Sequence, residues 1–146
     1  MKSEELLCQA HLIMKEKSIV GAKSFDFAVR IVKMYQWLTG NHRIEALAKQ
    51  VLRSGTSIGA NIEEALGGYS KRDFAAKIGI SLKEARETRY WLRLLHAMGY
   101  LEQTLFESIC NDCEGLIKML GAIKLTTQQN IAKELKSLKS RRSHNS

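Results

Sequence analysis

The chain has 146 residues, of which 45% are hydrophobic and 26% are charged, a balance typical of one globular domain. It contains no proline, the residue that breaks helices most strongly, so it is free to be helical nearly throughout. No run approaches the roughly 18 apolar residues of a membrane span, and the N-terminus lacks the apolar core of a signal peptide. The three cysteines, an odd number, argue against a disulfide framework, so we expect a cytoplasmic protein.

The net charge of +8 is concentrated at the C-terminal end. Residues 133–146 contain one acidic residue and five basic residues, which together supply half of the excess charge: Lys133, Lys136, Lys139, Arg141 and Arg142. Such a tail either attracts a polyanion, RNA or DNA above all, or serves only to keep the chain in solution.

The first half of the chain divides into an N-terminal extension and two helices. An amphipathic stretch from Ser3 to about Lys17 predicts an extra helical segment within residues 1–21. Ser24, with Asp26 in the first turn, predicts the start of the next helix, and Thr39-Gly40-Asn41 predicts its end. A second helix, about 42–66, repeats its seam residues at a spacing of three and four for three heptads.

Two further helices follow. Ser70 and Asp73 resemble a capping box and predict the start of the third helix, which Gly99 ends. Thr104 with Glu107 predicts the start of the fourth. Candidate ion pairs within helices are Glu45–Lys49, Asp73–Lys77 and Glu114–Lys118.

No stretch alternates with the period of a β-strand, and short turns join the four helices. The sequence therefore predicts an all-α protein, an antiparallel up-down-up-down four-helix bundle over residues 22–128. A basic tail follows over residues 129–146. This tail either extends the fourth helix through Ile131, Leu135 and Leu138 or, the alternative we favour, has disordered last residues.

The seam of the second helix contains small and polar residues where a bundle normally has leucine. Glycine inside a helix costs about 1 kcal/mol relative to alanine, so Gly55 and Gly59 need a compensation, which close approach of another helix would provide. We expect tight packing between the second and third helices, and a ligand site is the alternative. The residues assigned to this close packing are Ser54, Gly55, Ile58, Gly59 and Asn61. A phosphate-binding loop is not predicted, because no strand precedes these residues and the required lysine is missing.

Three ordered motifs give the chain a specific family resemblance. They are Lys23-Ser24-Phe25-Asp26, then Leu52-Arg53-Ser54-Gly55-Thr56-Ser57-Ile58-Gly59-Ala60-Asn61-Ile62-Glu63-Glu64-Ala65, then Leu82-Lys83-Glu84-Ala85-Arg86-Glu87-Thr88-Arg89-Tyr90-Trp91-Leu92. Over about residues 22–125 the chain resembles the bacterial four-helix-bundle family named for proteins encoded in intervening sequences of the large ribosomal RNA.

The resemblance implies a four-helix bundle, homopentamers and no established enzymatic activity. A distant branch, the accessory variability determinants of diversity-generating retroelements, binds nucleic acid and a reverse transcriptase. The chain departs from the family at both ends, in its leading helix and its basic tail.

Few residues are arranged for catalysis or metal binding. No Glu-x-x-His motif is present, which excludes a carboxylate-bridged di-iron site. Cys110 and Cys113 either pack as ordinary thiols or, with Cys8 and His11, complete a zinc site; we expect no metal and no cofactor.

One pair of residues superficially resembles the Arg and His of helical-bundle ribonucleases of the HEPN type. Arg89 and His96 are seven positions apart, however, and about 10.5 Å of helical rise is too far for one reacting phosphate. We therefore expect no enzyme, with a metal-independent ribonuclease as an alternative.

The third helix presents two edges of opposite charge, according to a rotation of about 100° per residue. Arg86, Arg89 and Arg93 form a basic edge. Glu84 and Glu87 lie on the opposite flank with Trp91. We predict that the basic edge of one subunit contacts the acidic edge of the next in a closed ring. The alternative is that both edges pair with helices two and four of the same chain.

The function predicted from these features is a non-catalytic, oligomeric assembly module. We expect it to bind RNA or DNA, or a nucleic-acid-handling enzyme, through Lys71, Arg72 and the five basic residues of the tail. The alternative without nucleic acid is a purely structural oligomer that recruits a protein partner.

Overall fold

The computed structural model describes the backbone from Lys2 to His144 and the side chains of residues 19–143. This part of the chain forms four helices: α1 (Lys2–Asn41), α2 (Glu45–Leu66), α3 (Lys71–Ala97) and α4 (Gln103–His144). Each helix packs on the next in sequence, and α1 also packs on α4, so the helices form a square. The predicted all-α four-helix bundle is confirmed.

The core lies along the seams where the heptad pattern placed it. Ile31 of α1, Ile58 of α2 and Leu120 of α4 are completely buried. The polar residues of the seams are buried too: Ser81 Oγ donates to the carbonyl oxygen of Ile58 (2.9 Å). In α3, the Thr88 hydroxyl lies 3.0 Å from that of Ser54. Among the described residues, every buried side-chain nitrogen or oxygen has a hydrogen-bond partner, which is why polar residues are tolerated here.

One of the three predicted helix starts is confirmed. Ser70 caps α3, because its side chain accepts a hydrogen bond from the backbone N–H of Asp73 (3.1 Å). The predicted start at Ser24 is wrong, since α1 runs through this residue and its Oγ donates to the carbonyl oxygen of Gly21 (2.8 Å). Thr104 is not a cap either, because α4 already begins at Gln103.

The outer helices continue past the α2–α3 turn at one end of the bundle. The predicted boundaries, 21/22 and 128/129, both fall inside continuous helices, and α4 extends through Ile131, Leu135 and Leu138 as far as His144. A Cβ on Gly21 would lie 3.9 Å from Leu66, the last residue of α2, so the preceding residues of α1 extend beyond α2.

The interface between α1 and α4 is the least extensive of the four. Described residues of these two helices line open cavities of about 240 and 260 Å³. Arg30 of α1 crosses between them and donates hydrogen bonds to Ser108 (3.1 Å) and Asp112 of α4. As far as the described residues go, none of the helices is long and apolar enough to cross a membrane.

Candidate nucleic-acid interface

The basic tail is a helix that projects from the bundle. Lys71, the first residue of α3, forms an ion pair with Glu134 of α4. The start of α3 therefore lies beside Glu134, and the residues of α4 after Glu134 extend past the end of α3. The ten residues after Glu134 therefore carry α4 about 15 Å farther. The five basic residues of the tail, which are predicted to bind nucleic acid, are all exposed: Lys133, Lys136, Lys139, Arg141 and Arg142. Successive members of the series 133, 136, 139 and 142 are rotated by about 60°, so they cover one half of the helix circumference, and Arg141 lies on the other half.

The structure brings the two predicted groups of nucleic-acid-binding residues to the same end of the bundle. Arg72 is exposed and, within the described side chains, makes no hydrogen bond or ion pair. Lys71 is different, because Glu134 neutralises its charge. Arg72 and the tail residues thus remain the stronger candidates for phosphate contacts.

The acidic edge of α3 is already occupied within the chain. Arg53 of α2 pairs with Glu84 (3.2 Å) and with Glu87, and Trp91 Nε1 donates to the same Glu87 carboxylate (3.1 Å). The hydrogen bond from Arg53, followed by that from Trp91, holds the pKa of Glu87 below its ordinary value. The intramolecular pairing that the sequence left open is the arrangement observed in the single chain.

The basic edge of α3 is only partly occupied. Arg89 donates to Glu114 of α4 (2.8 Å). Arg86 and Arg93, in contrast, are exposed and form no hydrogen bond or ion pair with any residue in the 19–143 range. Two uncompensated guanidinium groups therefore remain on this side of α3.

The close-packing residues of α2 serve two different interfaces. A Cβ on Gly55 would lie 2.8 Å from Cγ1 of Ile31, and one on Gly59 would lie 3.3 Å from Oγ of Ser24, so both glycines accommodate α1. The prediction that they face the third helix is wrong for the glycines. Ser54 and Ile58 do contact α3, through the hydrogen bonds described above.

Asn61 does not bridge helices, because its side-chain amide donates to the carbonyl oxygen of Ser57 (2.8 Å) in the same helix. The alternative of a ligand site at these small residues of α2 gains no support. The space above Gly55 and Gly59 is filled by α1.

The two cysteines of α4 are not arranged as a reactive pair. Cys113 is buried and its thiol donates to the carbonyl oxygen of Ala85 (3.2 Å); burial raises its pKa to about 12. Burial also raises the pKa of Cys110. Protonated thiols are poor nucleophiles and poor metal ligands. Residues 19–143 contain no cluster of three potential metal-binding side chains, whereas the side chains of Cys8 and His11 lie outside the described residues.

Arg89 and His96 are each held by other groups. The Nδ1 atom of His96 lies 3.0 Å from the carbonyl oxygen of Leu101, which can only accept, so this nitrogen carries the proton. The ring also stacks on Phe106, with centroids 4.1 Å apart. Because Arg89 pairs with Glu114 instead, the two side chains do not form the paired acid–base site that the ribonuclease alternative requires.

The sequence analysis missed two residues on the surface formed by α3 and α4. Lys124 of α4 lies over Gly79 of α3: a Cβ on this glycine would be 3.8 Å from the lysine Cε and 3.9 Å from its Nζ. Tyr90 of α3 is 56% exposed and packs edge-to-face on Trp91. The position of Tyr90, four residues after Arg86 and three before Arg93, could have placed it beside these arginines on α3. Nothing in the sequence indicates that Lys124 lies over Gly79.

Together, fold and surface define a four-helix bundle protein whose α4 continues as a basic helix. The family model of the 23S rRNA-intervening sequence protein matches residues 16–122, so the chain belongs to this family. A crystal structure from Bacteroides thetaiotaomicron, of a protein with unknown function from the S23 ribosomal protein family, is similar to it. The two chains are 47% identical with a TM-score of 0.73, and the match covers 75% of this chain and 97% of the other. No curated protein matches the chain.

Proposed function

We propose that this protein is a non-catalytic module of the bacterial cytoplasm that binds nucleic acid and assembles with copies of itself. The observation that carries the proposal is the helical tail, which has cationic side chains around its circumference and projects beyond α3. Nucleic acid is the polyanion best matched to such a helix, because phosphate contacts need positive charge and no particular side-chain pattern.

The fold favours contacts with the sugar–phosphate backbone of a nucleic acid over recognition of its base sequence. Between Lys2 and His144 the bundle contains neither a helix-turn-helix arrangement nor a strand that could present bases as RNA-binding sheets do. The family name refers to an intervening sequence of 23S rRNA, which makes RNA the first ligand to test.

A salt-titrated binding assay tests this proposal. We expect single-stranded RNA or DNA to bind with an affinity that falls linearly, on logarithmic axes, between about 50 and 200 mM salt. A chain ending at Ala132 lacks the five basic tail residues, and each lost phosphate contact should reduce the slope by about 0.7. Absence of binding at low salt, or binding that salt does not weaken, would reject nucleic-acid binding.

Self-assembly is supported by an apolar stripe on the outer face of α1. Phe25 is 70% exposed, and Val29 and Val32 follow it at helical spacing with more than a third of each side chain in solvent. We assign this face to a second copy of the chain. The sequence predicted a different contact, in which Glu84 and Glu87 of one subunit meet the basic edge of the next. That contact would require Glu84 and Glu87 to give up their ion pairs with Arg53.

The mass in solution tests the assembly. Light scattering after size exclusion should show an oligomer for the unmodified chain and a smaller species for Phe25→Asp. The matched control is Ala60→Asp, which introduces the same charge at an exposed position of α2 and should leave the mass unchanged. A monomeric mass for the unmodified chain would reject this part of the proposal.

A further inference from the structure

A row of cationic side chains runs along the outer side of α3, next to α4. Arg72, Arg86 and Arg93 belong to one series of heptad positions, in which each heptad drifts by only about 20° around the helix. Consecutive positions of the series are about 10.5 Å apart, so the row spans about 31 Å. One position of the series, residue 79, carries no charge because it is a glycine.

Lys124 of α4 supplies a positive charge at this position. Its Cε and Nζ atoms lie 3.8 and 3.9 Å from the place where a Cβ of Gly79 would be. The ammonium group of Lys124 therefore lies over α3 at the height of residue 79. Four positive charges, contributed by two helices, follow one another along the α3–α4 face.

Neighbouring carboxylates do not neutralise this row. Within the described part of the chain, Arg72, Arg86, Arg93 and Lys124 make no hydrogen bond or ion pair. Acidic groups that could compete for them are bound elsewhere: Glu114 by Arg89, Glu134 by Lys71, and both Glu84 and Glu87 by Arg53. The face therefore keeps a positive potential that attracts anions.

An aromatic side chain lies beside the row. Tyr90 is more than half exposed, between Arg86 and Arg93, and its edge-to-face contact with Trp91 (centroids 5.0 Å apart) limits its motion. Proteins that bind single strands combine such cationic tracks with exposed aromatic rings on which an unpaired base stacks.

The row points along α4 toward the basic tail. Arg142 lies about five helical turns beyond Lys124 on the same side of α4, and Lys139 lies about 60° away. The ion pair between Lys71 and Glu134 joins the start of α3 to this part of α4. Ile131, Leu135 and Leu138 occupy this side of α4 between Lys124 and Arg142, so a strand that follows the α3–α4 face crosses an apolar stretch before it reaches the charges of the tail.

We propose that the α3–α4 face binds the sugar–phosphate backbone of a single-stranded nucleic acid. Arg72, Lys124, Arg86 and Arg93 contact phosphates, and Tyr90 stacks on one base. This inference rests on the proposed nucleic-acid binding and adds to it a defined surface on the bundle itself. RNA and DNA share the chemistry involved, and separate arms of the experiment distinguish them.

The test compares two double variants that remove equal charge from different faces. Arg86→Gln with Arg93→Gln changes the proposed face. Lys23→Gln with Lys33→Gln changes exposed residues of α1, which are unpaired within the described residues and serve as the matched control. Affinities for labelled oligouridine, oligodeoxythymidine and anionic phosphatidylserine vesicles are measured across a salt series, with circular dichroism to verify folding.

We expect the arginine variant to bind oligouridine or oligodeoxythymidine about tenfold or more weakly at low salt, because two charge-assisted contacts are lost. Its salt slope should fall by about 1.4, which is about 0.7 for each contact. The lysine control should stay within about twofold of the unmodified chain, since its lost charges act only at long range.

Each contrary result has a separate meaning. If both variants weaken binding equally while the tail truncation abolishes it, the face is not the interface, although the proposed function stands. If the unmodified chain binds neither oligonucleotide, the proposed function and this inference both fail. Binding to the vesicles without binding to either strand would assign the face to a membrane surface and overturn the inference.

Discussion

The close approach of α1 and α2 at Gly55 allows a quantitative prediction for Gly55→Ala. Inside a helix, alanine is favoured over glycine by about 1 kcal/mol. At this position, however, the new Cβ would lie 2.8 Å from Cγ1 and 2.9 Å from Cγ2 of Ile31. Ile31 is β-branched and its χ1 is restricted in a helix, so the side chain cannot simply rotate away.

Overpacking of this kind typically costs about 1–3 kcal/mol, so after the gain in helix propensity we expect Gly55→Ala to lower the free energy of unfolding by about 0–2 kcal/mol in total. Gly121→Ala is the matched control, because a Cβ at this position of α4 has no atom of the described residues within 4 Å. This substitution should stabilise the protein by up to about 1 kcal/mol. Gly59→Ala should fall between them, since its Cβ would lie 3.3 Å from Ser24 Oγ.

Urea denaturation at a fixed protomer concentration measures all three variants against the unmodified chain. The sign of the change is the critical result. If Gly55→Ala proves as stabilising as Gly121→Ala, α1 and α2 are not packed closely at Ile31 and the reasoning is refuted.

Three further predictions concern single side chains. Tyr90→Leu should weaken binding of oligouridine about tenfold but leave binding of inorganic polyphosphate unchanged, because stacking needs a base; equal losses for both ligands would argue against stacking. Ser70→Ala should lower the free energy of unfolding by about 1 kcal/mol in urea denaturation through loss of the α3 cap, and no change would contradict the observed bond to Asp73. Burial raises the pKa of Cys113 to about 12, so the native state holds this proton more tightly than the unfolded chain does. The resulting contribution to the free energy of unfolding is lost as pH rises above about 9. Between about pH 7.5 and about pH 10.5 the unmodified chain should therefore lose about 2 kcal/mol more stability than Cys113→Ala, and parallel curves would exclude a buried thiol.

The heptad pattern was sufficient to predict the bundle, but local signals at helix ends were ambiguous. A serine followed by an acidic residue predicts a cap both at Ser24 and at Ser70. Only Ser70 is one, because Gly67 and Gly68 end the preceding helix, whereas the residues before Ser24 continue α1. The side chain of Ser24 then bonds backward to Gly21, an arrangement that the same short sequence also permits.

Charged side chains were harder to place because partners from other helices compete with those in the same helix. Glu45 and Lys49 pair as predicted (2.8 Å). Lys77, in contrast, pairs with Glu64 of α2 rather than with Asp73.

Glu114 likewise pairs with Arg89 of α3 rather than with Lys118. The sequence shows which residues carry charge, but only the packing shows which charges remain uncompensated. That is why the tail could be predicted from the sequence, whereas the position of Lys124 over Gly79 could not.

The most direct measurement is a map of photo-crosslinks between the unmodified protein and an oligouridine that carries 4-thiouridine. Mass spectrometry of the digested complex identifies the peptides that carry nucleotide. We predict adducts in α3 between Arg72 and Arg93, with Tyr90 among the modified residues, and in α4 from Lys124 onward. Adducts confined to α1 and α2, or none despite measurable binding, would contradict a nucleic-acid interface on the α3–α4 face.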